Sequence, residues 1–151
     1  MGVELRAVRY DDPVAVALVE AVQQEYVVRY GGPDETPVDP AQFAPPAGLF
    51  LVAELDGVPA GCGGWRSHGT DAELKRMFTV AEMRGKGVAR AVLAELERTA
   101  AEAGHTRVVL ESGARQPEAI ALYAASGYEP IAPFGFYRCS PEAVHLGKVL
   151  S

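Results

Sequence analysis

From Met83 to Arg90 the chain reads Met-Arg-Gly-Lys-Gly-Val-Ala-Arg. No other eight residues restrict the fold as strongly. A charged strand pattern ends just before them, a helical pattern begins inside them, and Gly85 and Gly87 supply the backbone freedom that so abrupt a junction needs. The first turn of such a helix leaves its amides unpaired and its positive dipole end facing outward, which suits a pyrophosphate. Lys75, Arg76, Arg84, Lys86 and Arg90 crowd this region with one acid, Glu82, although the chain carries a net charge of -6. The site is basic against the trend.

The remaining pattern frames that junction. Val3 to Val8 alternates as a strand, and Asp11-Asp12-Pro13 starts a helix that runs to about Tyr30. Gly31 to Pro46 has the proline-rich, acidic composition of a loop, long for a connection in a compact domain. Leu49 to Leu55 and Val58 to Arg66 are apolar runs joined by Asp56-Gly57, a favoured hairpin turn, and Ala72 to Val80 adds a third strand of the meander. Val88, Val92, Leu93, Leu96, Ala100 and Ala103 then share one helical face, with Gly104 placed as a left-handed cap. Arg107 to Glu111 reads as a buried strand and Gln116 to Gly127 as a second helix. Tyr128 to Ile131 and Ala143 to Leu150 complete the sheet, separated by a loop from Pro133 to Pro141.

Composition removes several function classes. A length of 151 residues fits a single domain spanning 1-151, and no apolar run approaches the ~20 residues of a membrane span. The N-terminus has no secretory pattern, which gives a soluble, cytoplasmic expectation with no membrane partner. Cys62 and Cys139 have no CxxC spacing, and His68, His105 and His145 form no ligand cluster, so no metal is expected. The acidic balance argues against nucleic acid, which needs an extended basic face. A monomer and a homodimer are both compatible with the sequence.

A dinucleotide fold is the first competitor for the glycine junction, because Glu111 ends a strand where a ribose-binding acid would stand. Two features disfavour it. Arg90 occupies the third glycine position of G-x-G-x-x-G, and the preceding Glu73-Leu74-Lys75-Arg76-Met77-Phe78 is too charged for the buried first strand of a parallel sheet.

The sequence instead resembles the GNAT acyltransferase superfamily. Arg84, Gly87 and Ala89 meet the pattern Gln/Arg-x-x-Gly-x-Gly/Ala. Glu73 to Phe78 ahead of it, and Glu118-Ala119-Ile120-Ala121-Leu122-Tyr123 with Gly127-Tyr128 behind it, are similar to the same family. The resemblance implies a GNAT-like mixed α/β fold, a mostly antiparallel twisted sheet of about six to seven strands flanked by about four helices. It also implies acetyl-CoA as the acetyl donor, coenzyme A as product, and an N-acetyltransferase reaction through a ternary complex. The pantetheine arm would lie beside the fourth strand where it diverges from the fifth. Met77, Phe78, Thr79 and Val80 would offer backbone groups there, and Arg84, Gly85, Lys86, Gly87, Val88, Ala89 and Arg90 would hold the pyrophosphate.

Transfer to an amine needs a proton acceptor, because an ammonium has no free electron pair, and a donor for the departing thiolate. The resemblance suggests Glu73 for the first role, since some GNAT enzymes place a strand glutamate eleven residues before the motif arginine; a structural carboxylate paired with Lys75 or Arg76 is the alternative. It suggests Tyr123 for the second, with a core tyrosine as the alternative. Gln116 stands where the family often has asparagine, and either reaches the cofactor or caps its helix. The acceptor is less constrained. Tyr26 and Tyr30, with Asp34, Glu35 and Asp39 nearby, suit a cation; Arg66 suits a carboxylate; Phe134 and Phe136 offer aromatic faces. A small-molecule amine or amino-acid-like acceptor is expected, with protein N-acetylation and a non-catalytic acyl-CoA sensor as alternatives.

Overall fold

Asp56 and Gly57 both adopt positive φ, 54° and 78°, the backbone of a two-residue hairpin turn whose twist matches its strands. The computed structural model, which describes residues 2–150, builds its sheet outward from this hairpin. Strands β1 (Val3–Ala7), β2 (Gly48–Leu55), β3 (Val58–His68) and β4 (Asp71–Thr79) pair antiparallel in sequence order. β5 (Arg107–Gly113) joins β4 in parallel, and β7 (Ala143–Val149) and the two-residue β6 (Glu129–Pro130) follow antiparallel, giving the order β1-β2-β3-β4-β5-β7-β6.

Three α-helices cover this sheet: α1 (Pro13–Tyr30), α2 (Val88–Glu102) and α3 (Pro117–Ala125). The proline-rich segment after α1 yields a single 3-10 turn, Pro40–Phe43, fastened by reciprocal hydrogen bonds of the Asp39 and Gln42 side chains. A second short turn, Ala81–Met83, links β4 to the glycine junction. Among the described residues the α-helices are therefore three rather than about four, accompanied by two 3-10 turns.

The two faces of the sheet have separate cores. Val88, Val92, Leu93, Leu96 and Ala100 of α2 pack with Leu51, Trp65, Leu74 and Val108, and α3 adds Tyr123 to the same cluster. Each fully buried aliphatic side chain there contributes about 1.5–3 kcal/mol. On the opposite face Ala15 and Leu18 of α1 pack with Phe43, Phe50, Val52 and Cys62. Gly63 decides how closely α2 approaches: a Cβ there would overlap Met77 Sδ at 2.5 Å and crowd Val92 and Leu96.

Candidate active site

β4 and β5 stay paired for only three rungs, Asp71 with Arg107, Ala72 with Val108 and Glu73 with Val109. Beyond Glu73 they separate. On β4, Arg76 and Met77 together oppose Gly63 in a bulge, with Arg76 at φ 62°, and this bends the strand. β5 meanwhile keeps its register with β7 as far as Gly113 and Ala143. A cleft of about 900 Å³ fills the gap.

The end of the cleft at the start of α2 is backbone. Gly85 and Gly87 have φ of 78° and 83°, and a Cβ on either would meet nothing within 4 Å, so the space before α2 is open. The first amide bonded into the helix is that of Ala91, to Gly87 O at 3.1 Å, which leaves the amides of Val88, Ala89 and Arg90 for a ligand. Arg84 is braced rather than free: its Nη2 lies 2.8 Å from Glu25 and its Nε donates to Thr79 O at 3.2 Å. Met77, Phe78 and Thr79 line the cleft. Val80 does not, because its amide is used by Ala60 O at 2.8 Å. Successive strand amides alternate in direction, so that of Thr79 turns to the open edge. Lys86 also stays off the lining, its side chain exposed beside the helix start.

Tyr123 stands on the α3 wall, 6% exposed, and its hydroxyl has no hydrogen bond among the described residues. Burial raises this phenol well above its ordinary value, so it keeps its proton at neutral pH. Burial does the same to Tyr26 on α1, which also lines the cleft. Gln116 occupies the N-cap position of α3 without a side-chain capping bond, and instead accepts from Tyr30 Oη at 3.4 Å. Tyr30 Oη accepts in turn from the Arg115 amide at 3.1 Å and sits directly over Gly113, where a Cβ would collide with it.

Beneath the cleft runs a chain of buried charges. Glu73, with 5% side-chain exposure, receives Arg66 Nε at 3.0 Å, and Arg66 also donates to Pro37 O and Gln42 Oε1. Lys75 Nζ lies 3.4 Å from Asp34, 3.9 Å from Glu73 and 3.9 Å from Glu111. Asp34 also binds Arg76 Nη1 at 2.6 Å and the Thr36 hydroxyl. Burial works to raise the Asp34 carboxyl, yet Lys75, the Thr36 hydroxyl and Arg76 outweigh it and hold the group far below the carboxylate range. Glu111 Oε2 accepts from the Tyr137 amide at 3.0 Å and from His145 Nε2 at 3.1 Å. Its other oxygen, Oε1, is buried and has no hydrogen-bond partner.

Splayed strands, a glycine-rich helix start, a buried acid and a tyrosine with an unpaired hydroxyl line one cleft, and residues 17–128 match the Acetyltransferase (GNAT) family. The chain belongs to this family. A GNAT acetyltransferase is an acyltransferase, and the relatives agree. The IAA acetyltransferase of Azospirillum brasilense is 33% identical over 147 residues, covering 93% of this chain and 95% of its own. A Klebsiella pneumoniae structure assigned as an acyl-CoA N-acyltransferase superposes with a TM-score of 0.82 at 26% identity, covering 99% of this chain and 98% of that one. The PaiA N-acetyltransferase of Thermoplasma acidophilum, solved with coenzyme A, shares the fold at a TM-score of 0.75 and 16% identity, covering 99% of each chain.

Against this GNAT frame, several expected site residues fall elsewhere. Glu73 is locked to Arg66 and lies outside the cleft lining, so both leave the list of groups that meet a ligand directly. Phe134 packs between the rings of His68 and His145, and the half-exposed Phe136 packs on Tyr137, so neither reaches the cleft. Tyr137 of that loop does. Glu111, Asp34 and Tyr137 are the groups that sequence reasoning underused. One signal was available for Glu111, an acid directly following the apolar run Val108-Val109-Leu110.

Proposed function

We propose that this GNAT member is an N-acetyltransferase that moves the acetyl group of acetyl-CoA to a primary amine of a small molecule. The observation that carries this is the pairing, in one cleft, of Glu111 with its unpartnered buried oxygen and Tyr123 with its unpartnered hydroxyl. A buried polar atom without a partner is unfavourable unless a ligand supplies one, and an amine supplies a donor. The cradle fits the rest of acetyl-CoA. Free amides at the start of α2 suit the pyrophosphate, and the gap between β4 and β5 suits an extended amide-bearing arm.

When bound, acetyl-CoA would supply a thioester carbonyl carbon as the electrophile and the thiolate of coenzyme A as the leaving group. In this reading Glu111 removes one proton from the acceptor ammonium, so that nitrogen gains a free pair, and passes it to solvent. The open-edge amide of Thr79 donates to the carbonyl oxygen as negative charge builds on it. Tyr123, kept protonated by burial, donates to the departing sulfur, and the second N–H proton lost as the amide forms balances the proton the thiol gains. Glu73 keeps Arg66 and Lys75 in place from below. A cytoplasmic setting fits a chain whose Cys62 and Cys139 are both free thiols.

Thermal shift with acetyl-CoA, coenzyme A and NAD⁺, followed by free-thiol release with an amine panel, tests this. Stabilisation by the two coenzyme A forms with amine-dependent thiol release is the expected result. A shift with NAD⁺ alone, or acetyl-CoA binding with no thiol release on any amine, overturns the proposal.

A further inference from the structure

The acceptor half of the cleft has spent its positive charges. Arg76 is paired with Asp34 at 2.6 Å, and Lys75, at 6% side-chain exposure, lies within 4 Å of three carboxylates. Arg115, stacked over Tyr30 outside the lining, is paired with the lining residue Glu142 at 2.7 Å. No cation among these is left for a carboxylate on the acceptor. The negative groups are not all spent. Glu35 lines the cleft, is exposed, and forms no ion pair among the described residues. Deeper in, the Glu111 side chain is 4% exposed, and its Oε1 has no hydrogen bond and only the shared Lys75 Nζ, 3.9 Å away.

One residue links these two positions. The Tyr137 amide donates to Glu111 Oε2 at 3.0 Å, and at the other end of the residue the Tyr137 hydroxyl accepts from the Glu35 amide at 2.8 Å. Tyr137 therefore ties the Glu111 carboxylate to the main chain of Glu35 along a single wall of the cleft. A tyrosine face between two acids is also a favourable surface for an alkylammonium.

From this we infer that the cleft selects a small diamine, one nitrogen meeting Glu111 for acetylation and the second, as an ammonium, meeting Glu35. The inference rests on the acetyl-transfer reading above. An acceptor carrying a carboxylate in place of the second ammonium would meet Glu35 with no free cation to compensate, so discrimination comes from repulsion as well as attraction.

Three acceptors of one length separate the cases: 1,5-diaminopentane, pentylamine and 5-aminopentanoate, compared by kcat/KM in free-thiol release. The diamine should exceed pentylamine by about fivefold, the scale of an exposed ion pair, with the amino acid below both. Glu35→Gln, in an exposed loop position, should bring the diamine-to-pentylamine ratio close to one. Equal or better use of 5-aminopentanoate, or an unchanged ratio in E35Q, overturns the inference. So does acetyl-CoA binding with turnover of other amines but none of these three, which leaves the transferase reading standing. Loss of acetyl-CoA binding itself would instead overturn the reading beneath it.

Discussion

His145 Nε2 stands 3.1 Å from Glu111 Oε2, and the two residues face each other across the β5–β7 ladder. A carboxylate can only accept, so the Nε2 carries the hydrogen. With the Tyr137 amide it gives one oxygen two donors and leaves the other oxygen with none. His145→Gln, which keeps a donor, should retain most of the turnover. His145→Leu should lower kcat by about tenfold with acetyl-CoA affinity unchanged, because a misoriented base loses part of its proton-transfer advantage. Steady-state kinetics on both variants check this; equal activity in the two would remove the positioning role.

Tyr123→Phe removes the unpaired hydroxyl and little else, since the ring remains packed at 5.6 Å from Tyr128. The transfer rate should fall by about 100-fold while the acetyl-CoA thermal shift persists. A wild-type rate would return Tyr123 to the core.

Gly87→Asp forces a side chain onto a residue at φ 83° and puts a negative charge in front of α2. The cost to folding should be about 1–2 kcal/mol, from the left-handed backbone, because the Cβ itself meets no atom within 4 Å. Coenzyme A binding should disappear in the folded variant, as read by thermal shift.

Asp34 makes stability depend on acidity. Its folded pKa is depressed below the ordinary 3.8, so between the two values the unfolded chain binds more protons than the folded one. The contribution is therefore complete above about pH 5 and is lost as pH falls toward and below the folded value. Asp34→Asn leaves Arg76 and Lys75 short of their shared buried partner, and should cost about 3 kcal/mol at neutral pH. It should also flatten the acid limb of the stability curve; denaturant midpoints from pH 7 down to 2 measure both effects.

The succession of elements along the chain was readable because each carried local chemistry: Asp56-Gly57 for the hairpin, Pro13 and Pro117 at helix starts, and the one-sided stripe of α2. The glycine junction was readable for the same reason, since Gly85, Gly87 and the start of α2 are contiguous backbone. The acceptor side was not, because its groups come from distant segments. Asp34, Lys75, Glu111 and His145 are brought together only by the parallel pairing of β4 with β5 and the insertion of β7 beside them. Glu73 illustrates the difference. Its spacing from Arg84 places it on β4, but Arg66 opposite it on β3 takes its carboxylate, and spacing along a chain says nothing of cross-strand partners.

Three rungs are all that tie β4 to β5, so the seven strands behave mechanically as a four-stranded leaf and a three-stranded leaf sharing a short seam. The seam lies where the sheet would otherwise be most rigid, and α2 with its buried face spans it like a splint. An extended ligand lodged between the leaves would act as a missing length of strand. Occupancy of the cleft and the stiffness of the sheet are thus one variable, and amide exchange at Lys75 to Thr79 and at Leu110 to Gly113 would report both.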